Sequence, residues 1–214
     1  MTTPQSENRS RFDQIAANWD DSPMRAGIAT AVADAIAAAV PLSLQWKALE
    51  YGCGTGLVGV RLLPRVGSLL ATDLSPGMLA VLREKAAAAG LERITTQVLD
   101  LTSTPVPADR YDFVFTSMAL HHIPDVGALI HAFGALLAPG GWVALADLDA
   151  EDGSFHGPDV PGVAHHGFDR GQVQRWLSEA GFTSVTFRTA HTVEKSRDGE
   201  MRRYPIFLAT AQHP

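Results

Sequence analysis

Short apolar runs alternate with longer amphipathic stretches along most of this chain. "ALEY" from Ala48, "SLLATDL" from Ser68, "ITTQVLDL" from Ile94, "YDFVFTSM" from Tyr111 and "GWVALADL" from Gly141 have the length and composition of buried strands. Helical stretches near 56–64, 76–89 and 125–138 separate them. The helix over 76–89 has explicit ends: Ser75 to cap it, Pro76 at its first position and Gly90 to stop it. Strands alternating with helices at this spacing predict a parallel sheet covered on both faces.

The ends of the chain read differently. Residues 1–9 are polar and are expected to be frayed; from Ser10 onward Phe12, Ile15, Ala16 and Trp19 fall on one helical face. "DSP" at 21–23 then starts a second helix, rich in alanine, that ends before Pro41. After the fifth strand, residues 149–168 show no periodicity and carry two prolines and four glycines. A loop of this length inside a domain is a candidate lid or substrate loop. A helix over Asp169–Ala180 follows, opened by Asp169 and Gln172 and closed at Gly181. Two β-like runs, 183–193 and 204–211, joined by "EKSRDGEMRR", predict a closing hairpin. The expected organisation is an N-terminal helical cap over residues 1–41 and a single domain over 42–214.

The turn after the first strand, "ALEYGCGTGLVG" at 48–59, carries the chemistry. Gly54, Gly56 and Gly59 form G-x-G-x-x-G, and Asp73 stands nineteen residues after Gly54 at the end of the second strand. That pattern fits a dinucleotide and fits another adenosine compound. Glu50 bears on the choice. A carboxylate beside the turn is unwelcome to a pyrophosphate but suits the cationic amine and sulfonium of S-adenosylmethionine. Asp73 can accept the ribose hydroxyls of either ligand. Asp100, at the end of the third strand, can accept from an adenine amino group, with the Leu101 N–H beside it; a dinucleotide fold has no need of that acid.

Taken in order, "LEYGCGTGLVG", "ATDLSPGML", "QVLDLT", "YDFVFTSMALHHIPD" and "LLAPGGWVALAD" resemble the successive motifs of the class I S-adenosylmethionine-dependent methyltransferases, nearest to the small-molecule group with an E-x-G-C-G-T-G loop. The resemblance covers residues 47–148 closely and the remainder in outline. It implies a Rossmann-like α/β fold: a seven-stranded, mostly parallel sheet with one antiparallel strand, helices on both faces and a two-helix N-terminal cap. It also implies S-adenosylmethionine as cofactor, with S-adenosylhomocysteine as product. By the same resemblance Glu50, Tyr51, Gly52 and Gly54 line the methionine side and Asp73 binds the ribose. Leu74 and Met78 would pack on the adenosine, Asp100 and Leu101 recognise adenine, and Ser117 and Met118 close the pocket near the sulfonium. A nicotinamide-dependent oxidoreductase and a non-catalytic S-adenosylmethionine-binding protein stand as the alternatives.

Composition narrows the partners. The chain has 214 residues, is 46% hydrophobic and carries a net charge of −6, so a nucleic-acid partner is not expected. No apolar run has the length of a membrane span and the N-terminus lacks a signal-peptide core; a cytoplasmic protein with a small-molecule methyl acceptor is the expectation. Cys53 is the only cysteine, which removes disulfides and cysteine-based C5 pyrimidine chemistry. The Asn/Asp-Pro-Pro-aromatic turn of adenine N-methylation is replaced by Ser117-Met118-Ala119-Leu120. Histidines are the remaining handle on the acceptor: His121 and His122 after the fourth strand, His165 and His166 at the end of the long loop. His122 or His166 is the candidate base, set against an ordinary structural histidine. The acids and histidines between Asp147 and His166 match no metal spacing, so no metal is expected. Phe12, Trp19, Phe155 and Phe168 are candidate walls of an acceptor pocket, and Arg25 or Arg170 could hold an acidic substrate.

Overall fold

The computed structural model describes residues 4–157 and 160–214. Strands β1 (Lys47–Tyr51), β2 (Ser68–Asp73), β3 (Ile94–Val98), β4 (Tyr111–Ser117), β5 (Leu137–Leu148), β6 (Thr183–Arg197) and β7 (Glu200–Gln212) form one sheet in the order β3-β2-β1-β4-β5-β7-β6. The first five run parallel, and β7 is antiparallel to both of its neighbours. The parallel part is what the alternation of runs predicts, and the whole is the seven-stranded, mostly parallel Rossmann-like sheet that the resemblance implies. The chain steps outward from β1 through β2 to β3 and then returns to β4 on the other side of β1. That reversal leaves a crevice at the C-terminal ends of β1 and β4.

Strand alternation divides the core into two layers. Phe113 and Phe115 of β4 point to one face, where α2 (Pro23–Ala39) and α4 (Pro76–Ala88) pack through Val32, Ile36, Leu79 and Leu82. Val114 points to the other, against Leu129 and Phe133 of α5 (Val126–Leu136) and Val173 and Leu177 of α6 (Arg170–Glu179). All of these side chains are buried, and each adds roughly 1.5–3 kcal/mol of hydrophobic stabilisation.

Several element boundaries depart from the sequence pattern. The first helix, α1, starts at Pro4 rather than near Ser10, and residues 1–3 lie outside the described residues. Tertiary contacts hold it: Asp13 accepts hydrogen bonds from Ser75 Oγ (2.6 Å) and Gly77 N (2.8 Å) at the start of α4. A 3-10 segment, Ala16–Asp21, continues to α2, which Ser22 and Pro23 open as expected. The helix expected over 56–64 is one short α3 (Gly59–Leu62) followed by a 3-10 turn, Leu63–Arg65, because Pro64 has no N–H to extend the α-helical ladder. The closing hairpin is longer than expected. Its "linker" residues are paired strand, and the chain reverses at Asp198 (φ 52°) and Gly199 (φ 82°), the positive-φ pair that a two-residue hairpin turn requires.

The 149–168 segment is tied down rather than structureless. Asp149 bridges to Phe168, Glu151 N donates to His166 O (2.9 Å), and the N–H groups of Ala164 and His165 both donate to His121 O (2.8 and 3.1 Å). No helix among the described residues is long and apolar enough to cross a membrane.

Replacing Asp13 with alanine removes both tethers between α1 and α4. We expect a loss of about 1–2 kcal/mol in thermal or chemical unfolding and faster proteolysis of the first twenty or so residues. Cleavage at the wild-type rate would rule the tether out.

Candidate functional site

A cavity of about 340 Å³ opens at the C-terminal ends of β1 and β4, bounded by the glycine turn, α1, the 3-10 segment after it, the 149–168 segment and β6. The glycine turn is shaped by what surrounds it. Gly52, at φ +69°, sits where a Cβ would come within 2.6 Å of the Ala119 Cβ. A Cβ on Gly59 would lie 2.2 Å from Glu50 Oε2, so this glycine leaves room for a buried carboxyl. Gly54 N donates to Asp73 Oδ2 (2.8 Å) and Ser75 N donates to Asp73 Oδ1 (2.8 Å), which fixes the turn to the end of β2.

Two acids define this end of the cavity. Asp73 accepts the Gly54 N–H on one oxygen and the Ser75 N–H on the other, with the Leu74 N–H also acting on it. Burial raises the Asp73 pKa above the usual carboxylate value. Glu50 is 2% exposed, its Oε2 has no hydrogen-bond partner, and burial with the Asp73 charge nearby pushes its pKa up to about 8. A buried carboxyl with one oxygen unpartnered suits a ligand that brings positive charge, which would favour its ionised form. The residues present therefore fit an adenosine with a cationic tail.

The opposite end is built from histidines. His121 Nδ1 lies 2.7 Å from Asp147 Oδ1, with His121 1% and Asp147 0% exposed. Asp147 also accepts the N–H groups of Leu148 (2.8 Å) and His121 (3.3 Å). Burial pushes Asp147 up, but the His121 ring, its hydrogen bond and the Leu148 N–H together hold it below the usual carboxylate range. His122 donates through Nδ1 to the Gly162 carbonyl (2.7 Å), and burial and the His121 ring lower its pKa to about 4. His156 stands against both, with ring centroids 4.8 and 5.8 Å away; burial and those two rings lower it to about 3.

Most of the residues expected from the sequence meet at this cavity: Glu50, Tyr51, Gly52, Gly54, Asp73, Leu74, Met78, Ser117, Met118 and His122 all line it. Met118 does so at φ 55°, a strained value for this residue, held by its N–H on Ala146 O (2.8 Å). Three others stand elsewhere. Asp100 turns into its own loop, accepting from Thr102 N and from the Thr102 and Ser103 hydroxyls, and Leu99 takes the cavity wall in its place. Leu101 is buried in the α5–α6 core layer. His166 lies outside, largely exposed, 3.8 Å from Glu151. Of the candidate aromatic walls, Phe12, Trp19 and Phe155 line the cavity, while Phe168 packs on Trp176 and Phe207 in the core. Arg170 is bound to Asp149 through two hydrogen bonds of 2.7 Å, away from the cavity; Arg25 lines it, stacked 3.8 Å over the Trp19 ring.

Sequence reading weighed His156 only among conceivable metal ligands, and passed over Lys195, Arg197 and the pairing of His121 with Asp147. Only a period-2 reading of β6, which puts Lys195 and Arg197 on the face of buried Val193, could have flagged the two cations. Among the described residues, no group of three histidines, cysteines or acids is arranged to hold a metal ion.

Residues 48–141 match the family model described as a methyltransferase domain. An uncharacterized methyltransferase of Schizosaccharomyces pombe is 35% identical over 132 residues, which are 56% of this chain and 46% of the relative. A ubiquinone biosynthesis O-methyltransferase of Leptothrix cholodnii is 30% identical over 128 residues, 54% of each chain. The chain thus spans about half the length of these curated relatives. Among solved structures, the complex of DhpI with SAH superposes with a TM-score of 0.73 at 22% identity, covering 96% of this chain and 95% of DhpI.

Glu50 makes stability depend on pH. Below about 4.5 it is protonated in the folded and unfolded chains alike. As pH rises from there to about 8, only the unfolded chain ionises, so this contribution to stability is progressively lost. In thermal melts of the ligand-free protein, Glu50→Gln should flatten this decline and melt several degrees above wild type near pH 8. Parallel pH profiles for the two proteins would refute the assignment.

Proposed function

We propose that this chain is a class I S-adenosylmethionine-dependent methyltransferase, a reading that the methyltransferase-domain match over residues 48–141 supports, and that it transfers a methyl group from S-adenosylmethionine to an oxygen of a small organic acceptor. The observation that carries this reading is the single cavity joining the Glu50–Asp73 end to the His121–Asp147 end. Bound there, S-adenosylmethionine supplies an already activated methyl group, so the chain has to align the acceptor and take its proton.

In this reading Asp73 receives the ribose hydroxyls, and Gly52 and Gly54 let the ligand approach the backbone closely. Glu50 faces the cationic amino-acid portion, while Leu74, Met78 and Leu99 pack on the adenosine. Asp100 and Leu101 act, if at the adenine, from behind Leu99. Ser117 and Met118 form the floor between the two ends. The α1 segment and the 149–168 segment cover the cavity and exclude water.

For the base, the geometry favours His121 over the two histidines singled out from sequence. Asp147 holds the His121 Nδ1 proton and so leaves Nε2 with the free lone pair on a ring that lines the cavity. His122 is oriented in the same sense by Gly162, but a pKa near 4 makes it a feeble proton acceptor. His166 is largely exposed and does not line the cavity. The O-methyltransferase relative from Leptothrix supports an oxygen acceptor, and the net charge of −6 supports a small molecule over a nucleic acid.

Calorimetric titration tests the cofactor. S-adenosylmethionine and S-adenosylhomocysteine should bind with micromolar affinity and NAD should not, and Asp73→Ala should weaken both by at least about tenfold. Binding of NAD alone would overturn the reading. On an acceptor found by screening hydroxyl compounds, His121→Asn should keep S-adenosylhomocysteine affinity while turnover falls by roughly 10²–10⁴. Undiminished turnover would remove His121 as the base.

A further inference from the structure

At the histidine end of the cavity the chain gathers positive charge without pairing it to an acid among the described residues. Lys195 and Arg197 arrive from β6 on the same face as buried Val193, while Glu194 and Ser196 between them face solvent. Both cations reach a single acceptor, the Phe155 carbonyl: Lys195 Nζ at 3.0 Å and Arg197 Nη2 at 2.6 Å. Lys195 Nζ also sits 3.6 Å over the Phe155 ring. One carbonyl offers two lone pairs, so two ammonium protons and most of the guanidinium remain to be used. Arg197 Nε and His156 Nε2 are both buried without a hydrogen-bond partner. Arg25 lines the same cavity from α2.

The nearby acids do not neutralise this group. Among the described residues, none of Lys195, Arg197 and Arg25 is in a salt bridge. Asp147 is held by His121, Asp149 by Arg170 and Asp152 by Arg202. Glu151, which acts on Lys195 from a distance, takes the Phe155 N–H on Oε2 (3.0 Å) and keeps Oε1 buried without a hydrogen-bond partner, and Asp20, which acts on Arg25, is bound to Thr55 and Lys85. Burial and the Arg197 charge accordingly lower the Lys195 pKa to about 8. Leaving cations facing each other in a half-buried cavity is costly unless an anion completes the site.

We propose that the methyl acceptor carries an oxyanion, of carboxylate or phosphate type, received by Lys195 and Arg197 at the histidine end of the cavity. This rests on the methyltransferase reading. The cavity is then sorted by charge: its acids, Glu50 and Asp73, serve the cationic cofactor, and its cations serve the anionic acceptor. Phe12, Met24 and Val160 in the same wall give the acceptor an apolar body between anion and reacting atom. A guanidinium beside an ammonium matches a group with two or more oxygens and gives the acceptor one orientation.

The test is calorimetric titration of the protein with phenylphosphonate, benzoate and neutral benzyl alcohol, with and without saturating S-adenosylhomocysteine. At least one anion should bind saturably with a dissociation constant of about 1 mM or tighter, and benzyl alcohol should bind at least tenfold more weakly. The stronger of the two anions identifies the phosphate-type or carboxylate source. Lys195→Gln and Arg197→Gln should each weaken anion binding about tenfold or more and leave S-adenosylhomocysteine affinity unchanged, and Lys195→Arg should retain most of it. Two results overturn the proposal: wild-type protein that binds neither anion, or glutamine variants that bind as wild type does, which would reduce the cations to braces for the 149–168 segment. Failure to bind S-adenosylhomocysteine counts against the methyltransferase reading, and the anion titration without it still decides this one.

Discussion

The carboxylate of Asp73 joins three parts of the chain that the cavity depends on. One oxygen holds Gly54 of the turn after β1, and the other holds Ser75 at the start of α4. Ser75 in turn donates through its hydroxyl to Asp13, which brings α1 down over the crevice. Asp20, a few residues on, holds Thr55 in the glycine turn with one oxygen and Lys85 of α4 with the other. The sheet reversal between β1 and β4 opens a crevice, and this chain of acid-to-donor contacts gives the crevice a roof. Because most of the donors are backbone or short side chains, the arrangement tolerates little displacement of any one part.

The same turn carries an electrostatic strain. Glu50 is placed on the buried face of β1, with room made for it by Gly59 and no partner for Oε2. Filling that space with an apolar side chain would be the more stable solution for an isolated fold. A carboxyl kept there against its desolvation is what a cavity for a cationic ligand requires, and stability is the quantity given up. Toward the far end stand Lys195 and Arg197, both on the Phe155 carbonyl. The proposed reaction uses that polarity twice: once to seat the donor and once to orient the acceptor beside His121.

Much of this was written locally. The strand runs, the Ser75-Pro76 start of α4, the Ser22-Pro23 start of α2 and the glycine turn ahead of Asp73 are all short-range patterns, and each stands where the pattern put it. Asp100 has local partners of its own. Thr102 and Ser103 follow it closely enough to turn its carboxylate back into its own loop, a side-chain turn that competes with any ligand for those oxygens. The short α3 has a similar cause, since Pro64 ends the helical ladder that the apolar pattern alone would have prolonged.

The sequence by itself therefore determined the strand–helix alternation, the glycine turn and the acid at the end of β2, because hydrophobic period, capping and glycine torsions act over a few residues. Only the tertiary structure decided which histidine has a buried carboxylate behind it and which cations reach the Phe155 carbonyl. His121 meets Asp147 across 26 residues of chain, and Lys195 reaches Phe155 across 40. Those meetings are set by the pairing of β4 with β5 and of β6 with β7, which bring together side chains whose spacing in sequence carries no periodic signal.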